Sequence, residues 1–482
     1  LIVLEIALDS YVAPILLLAN IGIAILYNMG TNIFLEEISY ITKAISAVLQ
    51  LGVTMDFAIF LYHSYQAELK NTTDRNQAMS IAISKTFTSV LGSSLTTIAG
   101  FLALCSMNLT LGKDIGIVMA KGVLFGVISV VTILPSLILM FDKAIQKTKH
   151  KELLPKFTTI SEFNIKHYKA IIVIFLIALP IALYGYNNTK VYYKLDSSLP
   201  ETLDSISANN TLKDKFGLVS QEMILINKDT PNDEINEMLD KIEELDGVDF
   251  TLSYSKLSEL GIPEEMLPED LLSIFQSDKY QMILINSKYE IATDELNNQI
   301  AKINEIVKQY DSNAKVVGEG PLMKDLVEIS DHDFNSVNTV SIGIIFVIMM
   351  FVLKSISLPV LLVIAIEFAI FINMGIPYYT NTTIPFIASI VIGTIQLGAT
   401  IDYAILITTK YKTARIEGKD KHQAIDEALG TSIQSIIVSA LCFFGATFGV
   451  GMYSKIEMIG SLCSLMARGA IISMVTVLTV LP

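Results

Sequence analysis

Ten almost uncharged stretches limit what this chain can become. They are Ala13–Gly30, Tyr40–Tyr65, Thr86–Met107, Gly116–Phe141, Ile171–Tyr186, Thr339–Leu353, Pro359–Gly375, Ile384–Thr409, Ile433–Val450 and Ile459–Pro482. Each approaches the roughly twenty residues with which an α-helix crosses about 30 Å of hydrocarbon. A large soluble core holds one or two such helices, not ten. The fold class is therefore a polytopic α-helical membrane protein. Composition agrees: 52% of the 482 residues are hydrophobic, against about 45–50% apolar in soluble domains with glycine counted.

The net charge of −14 is concentrated in one place. Residues 190–333 hold 13 lysines, no arginine and 30 acidic residues, a net −17, while the rest of the chain is at +3. So acidic a hydrophilic block argues against nucleic acid as a partner. Cys105, Cys442 and Cys463 all lie in apolar segments, so no disulfide staples the block, and buried cysteine behaves as a small hydrophobe.

Basic residues gather in Glu68–Lys85, in Asp142–Lys169 and in Lys410–Lys421. The middle segment is the richest, and the positive-inside rule makes all three cytoplasmic. Counting helices outward then places the hydrophilic block on the extracytoplasmic side. The expected localisation is the cell membrane, multi-pass.

The chain also repeats itself. Gln50-Leu51-Gly52-Val53-Thr54-Met55-Asp56-Phe57-Ala58-Ile59 matches Gln396-Leu397-Gly398-Ala399-Thr400-Ile401-Asp402-Tyr403-Ala404-Ile405 at an offset of 346. Asn28-Met29-Gly30 matches Asn373-Met374-Gly375 at 345, and Ala120-Lys121-Gly122 matches Ala467-Arg468-Gly469 at 347. A nearly constant offset over so long a span is a duplicated membrane unit of the parallel kind. Leu1 then corresponds to about Phe346, inside a helix, and Pro482 to Pro135. The sequence thus reads as a piece of a longer protein, whose preceding part is expected to hold one helix and a partner to the hydrophilic block.

That block has its own repeat, Met223-Ile224-Leu225-Ile226-Asn227 and Met282-Ile283-Leu284-Ile285-Asn286. An amphipathic stretch follows each copy, Asp233–Leu245 and Thr293–Tyr310, and then a short β-prone run, Val248–Tyr254 and Lys315–Val317. Strand–helix–strand twice over predicts a small α+β sandwich of the ferredoxin-like sort.

Asp56 and Asp402 are the chemistry-bearing residues. An ionised carboxylate inside a membrane helix costs at least about 2.5–3.5 kcal/mol on insertion scales, so the same acid in both copies points to use. Duplication should bring the two helices together. Two carboxylates sharing a low-dielectric site cannot both ionise cheaply, which suits groups that load a proton on one side and release it on the other. Sodium binding and purely structural hydrogen bonding are the alternatives. Ser93 and Ser439 each follow their aspartate by 37 residues and are candidate hydroxyl partners, as are Thr54 and Thr400.

Gly52–Phe57 and Gly398–Tyr403 resemble the Asp-Tyr motifs on the fourth and tenth helices of the MMPL family (mycobacterial membrane protein large), a branch of the RND superfamily. The resemblance covers essentially the whole chain and includes the Ser-x-x-Ala-Pro at Ser10–Pro14. It implies duplicated six-helix halves, with residues 1–142 as helices 2–6 of a first half lacking its N-terminal helix and first extracytoplasmic domain. Residues 143–169 become a cytoplasmic linker, 170–187 helix 7, 188–335 an extracytoplasmic α+β porter domain, and 336–482 helices 8–12.

The resemblance further implies export of lipids or other hydrophobic molecules, driven by inward proton flow, with Asp56, Asp402 and Tyr403 as the relay. Phe57 departs from the motif and lacks the phenolic donor. Protons are then the coupling ion, with no cofactor, no metal and no enzymatic activity. A membrane lipid or hydrophobic small molecule is the expected cargo, and a homo-oligomer or an accessory membrane protein stays open. A sterol-sensing, receptor-like protein and an RND multidrug pump are the rival readings. The Asp pair speaks against the first, and the lack of long docking insertions against the second.

Weaker candidates are Glu367 in a predicted span, Lys121 and Arg468 as repeat equivalents, and His63 two turns after Asp56. His150, His167, His332 and His422 show no metal-ligand spacing, and the chain has no P-loop, Gly-x-Ser-x-Gly or zinc pattern.

Overall fold

Uncharged stretches joined by short polar turns leave each segment to satisfy its own backbone, and in hydrocarbon that means helices. The structure, a computed structural model, describes residues 1–150, 158–193, 199, 202–259 and 273–482. The chain divides into two units, Leu1–Val191 with His332–Pro482, and Tyr192–Asp331. The expected linker lies partly outside the described residues, at 151–157.

The first unit opens with α1 (Ile2–Ala7), α2 (Ala13–Gly30), α3 (Tyr40–Glu68), α4 (Arg75–Ala103), α5 (Thr110–Lys147) and α6 (Thr158–Asn188). Polar residues placed just before the apolar runs start several of them. Pro14 stands in the first turn of α2, where its missing N–H is not needed. Ser39 caps α3 by accepting from Ile41 N–H, and Asp74 caps α4 by accepting from Asn76 and Gln77 N–H. After α6, Val191–Tyr192 forms the two-residue strand β1.

The second unit is built from α7 (Asp204–Phe216), β2 (Ser220–Asn227), α8 (Asn232–Glu243), β3 (Val248–Leu252), α9 (Tyr254–Glu259), β4 (Tyr280–Ser287), α10 (Asp294–Tyr310) and β5 (Lys315–Gly318). The strands lie in the order β3-β4-β2-β5, and each adjacent pair is antiparallel. The two copies of Met-Ile-Leu-Ile-Asn are the central strands, with Met223 opposite Leu284 and Ile224 opposite Ile283. Alternation sends Ile224, Ile226, Ile283 and Ile285 to one face, where they pack on Ile235, Met238, Leu239 and Ile242 of α8 and Ile303 and Val307 of α10. Glu222 shares that face and is fully buried. Burial raises its pKa above the ordinary carboxylate range, against the opposing hydrogen bond from Ser220 Oγ at 2.5 Å.

The remaining elements are α11 (Glu319–Leu353), α12 (Ser357–Tyr379), the two-residue strand β6 (Ile384–Pro385), α13 (Phe386–Ile416), α14 (Lys421–Tyr453) and α15 (Glu457–Thr479). Helix α11 begins at Glu319, well before the apolar stretch from Thr339 that marked it in the sequence. Past Pro321 in its first turn, no glycine or proline interrupts it until Gly343, so nothing stops the helix at the polar boundary. Asp420 opens α14 with a capping box shared with Gln423. Asp333, fully buried on α11, accepts from Asn108 N–H at 2.9 Å and Leu109 N–H at 3.0 Å, and so caps α5 from a distant part of the chain.

Among the described residues, ten helices are long and apolar enough to cross a membrane. They differ in where they sit. In α13, 94% of the apolar window is buried, against 11% in α6, so α13 is the heart of the bundle and α6 its rim. The three cysteines are free, with Cys463 buried and Cys105 and Cys442 half-buried.

Candidate functional site

Two matching hydrogen-bond sets organise the middle of the helical unit. Asn28 Nδ2 on α2 donates to Gln50 Oε1 on α3 at 2.9 Å, and Gln50 Nε2 donates to the Gly122 carbonyl on α5 at 2.9 Å. Asn373 Nδ2 on α12 donates to Gln396 Oε1 on α13 at 2.8 Å, and Gln396 Nε2 donates to Ser473 Oγ at 2.9 Å and the Gly469 carbonyl at 3.4 Å on α15. All four amides are buried. A side chain at either glycine would collide with these sets. A Cβ on Gly122 would lie 2.6 Å from Asn28 Nδ2, and one on Gly469 would lie 2.7 Å from both Asn373 Nδ2 and Gln396 Oε1. The residues that marked the sequence repeat are thus the ones that tie three helices together in each set.

Asp56 stands six residues past Gln50 and Asp402 six past Gln396, each about 9 Å along its helix from its tie. Both are 4% exposed. The helices α3 and α13 come near each other at the two aspartates but are not packed along their length. Instead α3 packs on α14, and α13 packs on α4. Small residues open these crossings. A Cβ on Gly52 would meet the Phe443 ring at 2.7 Å, and one on Gly100 would meet Gly398 Cα at 3.2 Å. Thr97 Oγ1 of α4 donates to the Gly398 carbonyl at 2.9 Å, locking the second crossing.

This exchange fixes which hydroxyl meets which acid. Ser93 on α4 neighbours Asp402, and Ser439 on α14 neighbours Asp56. Each serine therefore stands beside the aspartate of the other repeat, not the one 37 residues before it. Ser439 Oγ also donates to Tyr403 Oη at 3.1 Å. The two carboxyls are close enough to act on each other, and Tyr403 lies within the field of both. Among the described residues, both oxygens of Asp402, Oδ1 of Asp56 and the Ser93 hydroxyl make no hydrogen bond. Buried carboxyl oxygens without donors are costly when ionised and suited to carrying a proton.

Thr54 and Thr400 take no such part. Thr54 Oγ1 donates to the Gln50 carbonyl at 2.7 Å and Thr400 Oγ1 to the Gln396 carbonyl at 2.6 Å, the i−4 bond open to any helical threonine. Phe57 is fully buried and adds only apolar contact. Arg468 Nε and Nη2 donate to Asn373 Oδ1 and its carbonyl, at 2.9 and 2.7 Å, whereas Lys121 Nζ donates to Asn32 Oδ1 at 2.6 Å.

Sequence reasoning missed a polar layer at the far end of α3. Tyr62 Oη donates to Asp9 Oδ1 at 2.7 Å, and Lys149 pairs with Asp9 Oδ2 at 3.0 Å. Burial opposes the charge on Asp9, but Tyr62 and Lys149 together hold its pKa below the usual value. Tyr65 Oη donates to the buried Asp142 at 3.1 Å, and Arg75 sits 2.8 Å from the same carboxylate. His63 lies between these tyrosines, its ring 6.2 Å from that of Tyr62. The one available signal was the Tyr62–Tyr65 spacing of three, which places both on one side of α3.

The profile of the MMPL family matches residues 1–160 and 238–482. A Streptomyces coelicolor protein named as a membrane protein, ActII-3, is 33% identical over 152 residues, 30% of this chain and 21% of its own length. MmpL1 of Mycobacterium tuberculosis, named as a transport protein, is 24% identical over 220 residues, 42% of this chain and 22% of its own. The mycolic acid-containing lipids exporter MmpL11 of Mycolicibacterium smegmatis is 23% identical over 167 residues, 34% of this chain and 17% of its own. The chain thus spans about a fifth of the length of these relatives in each match.

Proposed function

This chain is a member of the MMPL family of multi-pass membrane proteins, and from that premise we propose that it is a secondary transporter exporting lipids or other hydrophobic molecules, driven by protons moving inward through Asp56, Asp402 and Tyr403. One observation carries the reading: two buried, neighbouring carboxyls with unpartnered oxygens, beside the Ser439–Tyr403 hydrogen bond.

The crosswise packing supplies a way to turn protonation into motion. A proton arriving on Asp402 changes what α13 offers to Ser93 and α4, which belong to the other repeat. A proton on Asp56 does the same between α3 and Ser439 on α14. Each protonation is therefore felt across the boundary between repeats, so the halves shift against each other as the proton passes. We read the two hydrogen-bond sets as equivalent parts of a duplicated unit that keep each half rigid during that shift.

We read residues 192–331 as the ferredoxin-like, extracytoplasmic porter domain, a reading supported by the strand order β3-β4-β2-β5 and the strand–helix–strand alternation. The lipid class of cargo rests on the relative named as an exporter of mycolic acid-containing lipids. Transport of a fluorescent lipid by the protein in proteoliposomes tests the proposal. An imposed pH gradient should drive it and an imposed sodium gradient should not. Equal transport with no gradient, or with sodium alone, would overturn proton coupling.

A further inference from the structure

The helical unit holds a third intramembrane carboxyl that the Asp56–Asp402 pair does not use. Glu367 lies on α12, six residues before Asn373, and Asp402 lies on α13, six residues after Gln396. Asn373 and Gln396 are hydrogen-bonded, and the two helices are joined by a short turn and run antiparallel. At about 1.5 Å per residue, Glu367 and Asp402 both sit roughly 9 Å to the same side of that bond, so they share a depth in the bundle.

Helices α6, α13 and α15 pack on α12 around Glu367. From α6, the phenol of Tyr186 lies within its field. From α15, Arg468 is committed to Asn373. From α13, Asp402 lies at the same depth, a second acid and not a counter-charge. Among the described residues, Glu367 makes no ion pair. Tyr186 Oη accepts from Asn338 Nδ2 of α11 at 3.3 Å, and its ring packs on Phe371 at 5.1 Å and Phe334 at 5.9 Å between centroids. Tyr186 stands two residues from the end of α6, so Tyr186 and Asn338 form a polar step between Glu367 and that end of the bundle.

A carboxylate charge in a membrane span with no cation beside it is costly. We propose that Glu367 is a second proton-binding site, separate from the Asp56–Asp402 pair and reached through Tyr186 and Asn338. The inference rests on the proton-driven reading for its coupling ion and for which end of α6 faces outward. The site belongs to one repeat alone. At the offset of 345 shared by Asn28 and Asn373, Glu367 corresponds to Gly22, where a Cβ would meet nothing within 4 Å.

Infrared difference spectroscopy of the whole chain in nanodiscs, titrated between about pH 5 and pH 9, reads the protonated-carboxyl stretch directly. Glu367→Gln should remove one titrating carboxyl and leave those that Asp56→Asn and Asp402→Asn remove. Tyr186→Phe should move the midpoint of the Glu367 signal without abolishing it. Glu367→Asp should keep a titrating signal at a displaced midpoint, and it serves where the glutamine variant does not insert. A set of titrating carboxyls unchanged in both Glu367 variants would overturn the proposal. Asp56→Asn and Asp402→Asn proteins that transport normally, with the Glu367 signal still present, would instead overturn proton-driven transport alone.

Discussion

Asn28, Gln50 and Gly122 make nearly the same hydrogen bonds as Asn373, Gln396 and Gly469, but the cation beside each set behaves differently. Arg468 turns inward and grips Asn373 with two donors, while Lys121 reaches past Asn28 to Asn32. The aspartate level shows a second inequality: Tyr403 takes a hydrogen bond from Ser439, whereas Phe57 can take none. Asparagine at 28 and 373 is the same residue in two environments, one tied by amides alone and one clamped by a guanidinium. Repetition of sequence therefore fixes which side chains meet within a set, and single departures decide how firmly each set is held.

The sharpest way to break the resemblance between the sets is to fill their glycines. Gly469→Ala and Gly122→Ala should each lower stability by about 1–3 kcal/mol through overpacking. Gly469→Ala should cost more, because two atoms lie at 2.7 Å and Arg468 depends on the same asparagine. Thermal unfolding midpoints in detergent would rank them, and equal shifts would deny the inequality.

Removing the cations should have a smaller effect. Hydrogen bonds between membrane helices average about 0.6 kcal/mol, so Arg468→Ala, which loses two, should cost about 1 kcal/mol. Lys121→Ala, which loses one bond outside the tie, should cost about half as much. The same unfolding assay checks both, and a larger loss from Lys121→Ala would reverse the comparison.

Smallest in stability, though not in function, are the serines. Ser439→Ala takes the hydrogen bond from Tyr403 and should slow gradient-driven transport by about tenfold, on the scale of one lost bond of about 1.4 kcal/mol. Ser93→Ala removes a hydroxyl that makes no hydrogen bond among the described residues and should slow transport less. A lipid-flux assay at fixed pH gradient separates them.

Much of this architecture was legible in the residues. Apolar length exposed the helices, and alternation exposed the central strands around Ile224 and Ile283. The offsets near 346 mark Asn28, Gln50, Gly122 and their counterparts from sequence alone. What the sequence withheld was pairing at long range. The interval of 37 between Asp56 and Ser93 suggests that they meet, yet α4 also crosses α13, where Gly100 approaches Gly398 and Thr97 bonds its carbonyl. Asp333 looked like one more acid of the hydrophilic block, because its role in capping α5 depends on a contact with Asn108 that no local pattern announces. The early start of α11 was hidden for the opposite reason: its first turns are polar, and hydropathy alone does not distinguish a polar helix from a loop.

We propose that Asp56 and Asp402 act as one proton-carrying pair joined across the repeats. Proton uptake and lipid export measured together in proteoliposomes, for Asp56→Asn, Asp402→Asn and the double variant at matched protein levels, test it most directly. Either single substitution should abolish gradient-driven export as completely as the double one, because half a relay carries no proton. Export that persists in either single variant, or losses that simply add in the double, would contradict it.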